Sequence, residues 1–490
     1  MEHPLTAERL KKLDELKKLG EKPYRNDFTP NAHAADLEKR HVGKSREELE
    51  EVPDRFALAG RITRINRFGK ALFADIKDGS GKIQIFLQKK VLGEEGYQRA
   101  KLLDVGDIVG VIGPLTRTKT GELTVLTERC DLLVKNLRPM PEKWHGLKDV
   151  EIRYRQRYMD LIANTEVGDI FRKRAKAISG IRHFLEERDY IELDTPTMHP
   201  IPGGATAKPF VTYHNVLDID LYLRIATELY LKRLMVGGFE RIYEIGRVFR
   251  NEGVSTWHNP EFSLLEFYQA YATMNEFIEL TEEMFHCLAV DVAGSEKVTF
   301  LDKEIDLKPP YKRLDIRQAL VERAGLNANE MNDIEALRKH AENYGDVKDM
   351  DKGELLFQIY ENEVEPNITG PTFVTGFPVE ISPLSRSNDE DPSVVDRFEL
   401  IIAGKEFANA FSELNDPQEQ RRRFKEQVAK GGEENPKEVD EDFLRALEVG
   451  MPPAAGEGIG IDRLIMLLVG AKSIREVIPF PLLKPEAKTS

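Results

Sequence analysis

The sequence predicts an α+β protein of two unlike modules: a small five-stranded β-barrel, then a larger antiparallel sheet with helices. Two changes of texture predict it. Between residues 56 and 135 the chain runs in short alternating apolar and polar segments with Gly-containing breaks. Beyond about 150, strongly helical stretches mix with strands and show no regular β–α–β rhythm, which favours an antiparallel sheet over a doubly wound one. A chain of 490 residues is also too long for one ordinary core.

The elements follow in chain order. Leu10, Leu13, Leu16 and Leu19 sit at helical spacing among lysines, so 6–20 is expected as an amphipathic helix within a helical extension, 1–55. RFALAGRITRI, KALFADIKDG, GKIQIFLQ, DIVGVIGPL and GELTVLTERCDLL are the five strand candidates. Packed into so short a stretch, they suit a barrel of the OB type, a common binder of single-stranded nucleic acid, placed at 56–145. Alternation in KIQIFLQ puts Ile83 and Ile85 on one face, Gln84 and Phe86 on the other. LRPMPEKWHGLKDV (137–150) reads as the linker. The second module, 146–490, opens with the helical stretches IRYRQRYMDLI and GDIFRKRAKAISGIRHFLEERDY, then YIELDTPTM as a strand closed by Pro196. A polar, mostly helical insertion is expected at about 311–365, and residues 417–450 read as a solvated helix pair.

Composition narrows the function. Residues 61–140 hold 15 Lys/Arg against 9 Asp/Glu, a balance of +6 in a chain of net charge −14, which leaves −20 elsewhere. A basic module on an acidic body is expected when one part meets a polyanion and the other does something else. Cys130 and Cys287 are the only cysteines, far apart, so neither a disulfide framework nor a cysteine metal site is expected, and a reducing, cytoplasmic setting fits best. The charged start has no signal-peptide core, and no run approaches the roughly 20 apolar residues that cross a bilayer.

Three stretches carry chemistry. FRNEGVSTWHNPEF (249–262) crowds Arg250, Glu252 and His258 between phenylalanines, and reads as a hairpin bringing Arg250 alongside Phe262, with His258 in its loop. A strand-mounted arginine can hold a phosphate or carboxylate bidentately, an imidazole can reach further phosphates, and an aromatic face can stack on a base. AGEGIGIDRLIMLLVG (455–470) alternates glycines in a strand, as where something must approach the backbone, then presents Arg463. In RFELIIAGKEFANAFSELND (397–416), Glu399 and Glu406 flank an AG turn that could bring both together. Two carboxylates beside phosphates imply Mg²⁺.

FRNEG…HNPEF resembles motif 2 of the class II aminoacyl-tRNA synthetases, and GIGIDRL resembles motif 3. GDIFRKRAKAISGIRHFLEERDYIELDTPTM resembles motif 1, with Pro196 at its characteristic proline. IRYRQRYMDLI, IPGGATAKPF, LYLKRLMVGGFERIYEIGR and ANAFSELND are similar to the lysyl-tRNA synthetases of subclass IIb, bacterial type, over nearly the whole chain, the barrel included.

The resemblance implies an OB-type anticodon-binding barrel followed by a class II catalytic domain. It also implies a reaction: ATP-dependent conversion of L-lysine to lysyl-adenylate, then transfer to the 3′-terminal adenosine of tRNA(Lys). By the same resemblance Arg250 holds the amino-acid carboxylate and α-phosphate, and Glu252 contacts the adenine side. His258 reaches the terminal phosphates, Phe262 stacks on adenine, and Arg463 lies over its other face or on the γ-phosphate. Glu399 and Glu406 match the Mg²⁺ carboxylates, with Asn409 beside them. Glu266, Tyr268, Phe411 and Glu413 match the positions that select the lysine side chain, and Gly204 and Glu228 those at its α-amino end. Glutamates and a phenol there would pair with an ammonium and repel aspartate. In the barrel Phe73 matches an aromatic that stacks on an anticodon base and Gln84 an amide that reads its edge. The third reader is open between Glu128 and Arg129. Trp257 stands where relatives often carry arginine, and Thr227 where many carry proline. Motif 1 implies a homodimer. The competing readings are a ligase of the same subclass for aspartate or asparagine, a paralogue that lysylates a protein, and a non-catalytic RNA-binding relative.

Overall fold

The computed structural model describes residues 4–140 and 147–486. The chain divides into two compact units, Met1–Gly146 and Leu147–Ser490. Residues 141–146 of the expected linker lie outside the described residues.

In the first unit the opening helix runs Pro4–Lys18, and only Leu13 and Leu16 of the four leucines are buried; Leu10 and Leu19 are exposed. Leu10 turns to solvent, and Leu19 falls past the helix's last residue, Lys18, so the four leucines do not face one core. Seven strand segments follow: β1 Phe56–Phe68, β2 Ala71–Lys77, β3 Lys82–Gln88, β4 Ile108–Gly113, β5 Leu115–Arg117, β6 Leu123–Leu126 and β7 Arg129–Val134. Their order is β5-β6-β3-β2-β1-β4-β7. The last two of the five expected strands are each bent into two. Pro114, which has no N–H to donate, separates β4 from β5. At the second bend Thr127 N–H bonds back to Phe86 while Glu128 N–H turns to Ile112. With β4–β5 and β6–β7 each taken as one bent strand, the sheet closes on itself as the expected five-stranded barrel. Ile83, Ile85 and Leu87 point inward, whereas Phe73 and Phe86 stack outside with ring centres 4.1 Å apart.

The second unit is built on an eight-stranded sheet: β8 Ile191–Glu192, β9 Arg241–Phe249, β10 Glu261–Ala270, β11 Lys312–Asp315, β12 Thr372–Thr375, β13 Arg397–Ile402, β14 Lys405–Ser412 and β15 Ala454–Gly460. The order is β11-β12-β13-β14-β15-β10-β9-β8, antiparallel except for the outermost pairs β11–β12 and β8–β9. One face buries Phe267, Phe398, Leu400 and Ile459 against the helices Thr165–Glu186, Met274–Leu288 and Ile461–Val469. The other face carries the polar side chains described below. The expected insertion begins with edge strand β11, and its helices, from Ile316 onward, pack around Leu337, Leu355 and Ile359 in a cluster that also takes in Val374 of β12 and Ile401 of β13.

One buried ion pair joins the three motif segments. Asp462, at the start of helix Ile461–Val469, accepts from Arg174 Nη1 of helix Thr165–Glu186 at 2.5 Å and from the Ser263 N–H of β10 at 2.6 Å. Arg174 Nη2 donates to Ser263 Oγ at 2.9 Å. Removing one partner of a buried pair costs about 3–5 kcal/mol, because the other charge is stranded. Asp462→Ala is therefore expected to lower unfolding stability by about that amount, read as a shifted denaturant midpoint; an unchanged midpoint would contradict the assignment.

Candidate active site

The sheet's open face forms the floor of a cleft of about 370 Å³, within the range of small-molecule sites. Strands β9 and β10 make the expected hairpin, Phe249 opposite Glu261, and Arg250 N–H bonds to the Pro260 carbonyl at 2.8 Å. This places the Arg250 guanidinium 5.2 Å from the Phe262 ring centre. Its Nε is buried with no hydrogen-bond partner among the described residues, and burial lowers its pKa. His258, in the loop as expected, accepts or donates through Nδ1 with Ser255 Oγ at 3.1 Å, and its Nε2 lies 3.3 Å from Arg463 Nη2. Burial, then the Arg463 charge, lowers the His258 pKa and favours the neutral ring.

Arg463 leaves β15 at the head of the next helix and donates from Nη1 to the Glu406 carbonyl at 2.9 Å and to its Oε2 at 3.2 Å. Its guanidinium carbon lies 5.3 Å from the Trp257 ring centre, and Lys405 Nζ lies 5.7 Å from the same indole. Trp257 thus carries two cations on one ring. Glu406 reaches this face through a β-bulge. Glu399 pairs with Asn409 and Leu400 with Ala408, but Ile401 pairs with Glu406, so Phe407 is the extra residue and drops into the core. Without that slip the alternation would turn Glu406 away from the cleft.

At the cleft's inner end Glu266 is buried. Its Oε1 accepts from the Thr227 N–H at 3.2 Å, and its Oε2 from Thr227 Oγ1 at 2.8 Å and Tyr268 OH at 3.3 Å. A proline at 227 could supply neither Thr227 bond. Burial, then the nearby Glu228 charge, pushes the Glu266 carboxyl up to about 7. Gly204, at φ +86°, lies against Glu228, where an added Cβ would sit 3.1 Å from Glu228 Cβ. At Gly456 a Cβ would meet Tyr268 at 2.2 Å and Glu413 Oε1 at 2.5 Å, so the first of the alternating glycines admits the protein's own side chains.

Of the expected residues of this unit, Gly204, Glu228, Arg250, Glu252, His258, Phe262, Glu266, Tyr268, Glu406, Asn409, Phe411 and Arg463 line the cleft. Glu399 and Glu413 sit one layer deeper. Glu399 accepts from Arg397 Nη2 at 2.5 Å, and its pKa is raised by burial, with Glu406 and Glu365 adding to the rise and Arg397 opposing it. Glu413 pairs with the buried Lys232, which also holds Glu228 Oε1 at 2.6 Å. This ion pair is internal, with neither side chain exposed. Arg397, which also donates to Asn409 Oδ1 at 3.1 Å, and Lys232 are the residues that sequence reasoning missed. Lys232 stands four positions after Glu228 on one helix, a spacing visible in the sequence.

In the barrel, Gln84 pairs with Thr124 and Phe86 with Leu126, and Thr124 Oγ1 donates to Gln84 Oε1 at 3.0 Å. Phe73 and Gln84 share the outward face of adjoining strands. Val125 and Thr127 are buried, so the outward alternation continues through Leu126 to Glu128, which is ion-paired with Arg55 at 2.9 Å. Arg129 lies past the bend and pairs with Asp131. A register slip opposite Ile108 and Val109 absorbs one extra residue in β7.

Comparison with known proteins agrees with this architecture. The family of tRNA synthetases class II (D, K and N) matches residues 149–484, and the OB-fold nucleic acid binding domain matches 56–133. The fold and cleft are those of a class II tRNA synthetase. A lysine–tRNA ligase of Anaeromyxobacter dehalogenans (strain 2CP-C) is 50% identical over 502 residues, covering 99% of this chain and 98% of that protein. Lysine–tRNA ligases of Halalkalibacterium halodurans and Moorella thermoacetica are each 49% identical, over 98% and 99% of this chain and 97% and 99% of theirs. The chain belongs to the lysine–tRNA ligase family.

The raised Glu266 pKa sets a pH dependence. The native carboxyl keeps its proton between the ordinary 4.5 and about 7, where the unfolded chain has released it, so its contribution to stability falls as pH rises through that window. Glu266→Gln, which carries no charge, is expected to gain on the wild type by up to about 3 kcal/mol between pH 4.5 and 8 in denaturant unfolding. A pH-independent difference would contradict the buried charge.

Proposed function

We infer that this chain is a lysine–tRNA ligase that joins L-lysine to ATP as lysyl-adenylate with release of diphosphate. It then passes the lysyl group to the 3′-terminal adenosine of tRNA(Lys) with release of AMP. The observation that carries this reading is the buried Glu266, fixed by Thr227 and Tyr268 at the cleft's inner end, with Glu228 beside it and Arg250 at the mouth. Two carboxylates a short way from a guanidinium match an amino acid with two ammonium groups and one carboxylate. An aspartate side chain there would meet Glu266 as a like charge, which disfavours the aspartate and asparagine readings.

The chemistry follows from positioning. Attack of the lysine carboxylate oxygen on the α-phosphorus forms one P–O bond and breaks that to diphosphate; it needs alignment and charge neutralisation rather than a general base. Arg250, with a free, buried donor, holds the attacking carboxylate and the α-phosphate in one grip. Phe262 stacks on adenine, with Glu252 at the base's edge. His258, kept neutral, and Arg463, steadied by Trp257, take the terminal phosphates. Glu406 and Asn409, which line the cleft, with Glu399 a layer behind them on Arg397, would offer oxygen donors to a hard cation. No three acidic, His or Cys side chains converge as a metal cage among the described residues, so substrate phosphates would complete the shell. Bound Mg²⁺ would neutralise charge on the phosphates. Gly204 and Glu228 receive the α-ammonium, Glu266 and Tyr268 the ε-ammonium, and Phe411 walls the methylene chain. Glu413 supports this end from behind.

In the barrel Phe73 stacks on an anticodon base, while Gln84 and Glu128, on the same outward face, read base edges. Motif 1 and the three-stranded ribbon that follows it, Met198–His199, Val211–His214 and Ile219–Leu223, expose Ile191, Met198, Val211 and Tyr213, apolar side chains that suit a homodimer contact. No helix among the described residues is long and apolar enough to cross a membrane; a cytoplasmic site of action follows from the substrates.

Charging of unfractionated tRNA by the purified chain with ATP, Mg²⁺ and lysine, aspartate or asparagine tests the reading. Lysine alone is expected to be attached; attachment of either other amino acid would overturn it. Phe73→Ala is expected to raise the KM for tRNA roughly 5- to 150-fold, the equivalent of about 1–3 kcal/mol of lost stacking, with ATP–diphosphate exchange unchanged. An unchanged tRNA KM would remove Phe73 from the anticodon contact.

A further inference from the structure

We propose that Lys232 is a positioning residue for amino-acid selection: an internal counter-ion, behind the cleft wall, that holds Glu228 and Glu413 and sets the charge of the pocket to match lysine. This rests on the reading of the cleft as a lysine site.

The side chain of Lys232 is wholly buried in the helix Glu228–Val236. Its Nζ lies 2.6 Å from Glu228 Oε1, is ion-paired with Glu413 Oε2, and is 5.3 Å from the Phe411 ring centre. Three of its neighbours, Glu228, Glu413 and Phe411, are thus residues of the amino-acid end, yet Lys232 itself does not line the cleft. A lysine so placed does not serve solubility or surface pairing, and a buried ammonium persists only when paired. Burial opposes its charge, but the two carboxylates outweigh that and raise its pKa.

The charged and titratable groups that face this cluster are few. They are Glu228 on the same helix, Glu413 just beyond β14, Glu266 and Tyr268 on β10, and Arg397 on β13. Arg397 is taken up by Glu399. Burial holds protons on these carboxyls, and the ammonium groups of a bound lysine draw them off; fully ionised, Glu228, Glu266 and Glu413 carry −3, and Lys232 brings them to −2. Bound lysine contributes two ammonium groups, while its carboxylate faces Arg250 outside this cluster. With Lys232 the occupied pocket closes to neutrality; without it one negative charge is left in a site that excludes water. That excess is relieved by a proton on Glu228 or Glu413, which removes a charge from the carboxylate meant for the α-ammonium. Lys232 also fixes the Glu228 rotamer through the direct bond, so that the carboxylate's other oxygen is left for the substrate.

The test compares wild type, Lys232→Met and Lys232→Arg by ATP–diphosphate exchange, measuring KM for lysine and for ATP from pH 6.5 to 8.5. Wild-type exchange with lysine establishes the site; its absence would sink the functional reading itself and this inference with it. Given that exchange, Lys232→Met is expected to raise the lysine KM about tenfold or more at pH 7 with the ATP KM nearly unchanged, and the deficit should shrink as pH rises and the trapped proton leaves. Lys232→Arg, which keeps the cation, is expected to retain the wild-type pH profile. An unchanged lysine KM, a parallel rise in both KM values, or a deficit that does not vary with pH overturns the proposal. If Lys232→Met does not fold, Lys232→Arg decides: a wild-type profile supports the proposal and a displaced one overturns it.

Discussion

Buried carboxylate charge is the constraint on which this catalytic unit depends. Glu228, Glu266, Glu399 and Glu413 all lie out of water on one side of a single sheet, where an unpaired charge is costly. Each is answered differently. Glu399 is held by Arg397, and Glu228 and Glu413 share Lys232. Glu266 has only hydrogen bonds from Thr227 and Tyr268, and its pKa is pushed up accordingly. Glu266 alone of the four has no ion-pair partner among the described residues, and it lines the cleft. On the proposed reading, selectivity for an amino acid with a side-chain ammonium is an electrostatic deficit built into the fold.

The opposite sign is handled at the mouth of the cleft. Arg250 is buried with an unpartnered Nε, while Arg463 is shared among Glu406, His258 and the Trp257 indole. Both sets of groups line one cleft, and the antiparallel strands β10, β14 and β15 form the rigid plate beneath it. Asp462 fastens that plate to the helix behind it by gripping Arg174 and the β10 backbone together, one residue before Arg463. The segments that carry the chemistry are thereby also the segments that hold the core.

Much of this was legible in the sequence. The hairpin, the glycine strand and the carboxylate pair are local patterns, and strand alternation alone predicts which faces Ile83, Ile85, Gln84 and Phe86 take. What could not be read is non-local. The bulge at Phe407 depends on how two strands register, and it decides that Glu406 faces the cleft. Glu413 lies a layer deeper than its motif suggested because Gly456 admits it beneath the strand, and Lys232 reaches it from another helix. Leu10 and Leu19 showed the limit of spacing counts, since Leu10 faces solvent and the helix ends at Lys18, before Leu19. Two departures from relatives also gained a physical reading only in three dimensions. Thr227 donates two hydrogen bonds to Glu266 that a proline lacks, and Trp257 gathers Arg463 and Lys405 on one ring. A bend in the barrel wall leaves Glu128 on the outward face that Phe73 and Gln84 share and carries Arg129 past it, which is what favours Glu128 in the proposed reading.

The central claim is that this charge pattern recognises lysine before any tRNA is present. ATP–diphosphate exchange without tRNA, run separately with each of the twenty amino acids, tests it most directly. Exchange driven by lysine, with aspartate and asparagine at background, is the predicted result. Exchange driven by aspartate or asparagine, or by no amino acid at all, would contradict the account.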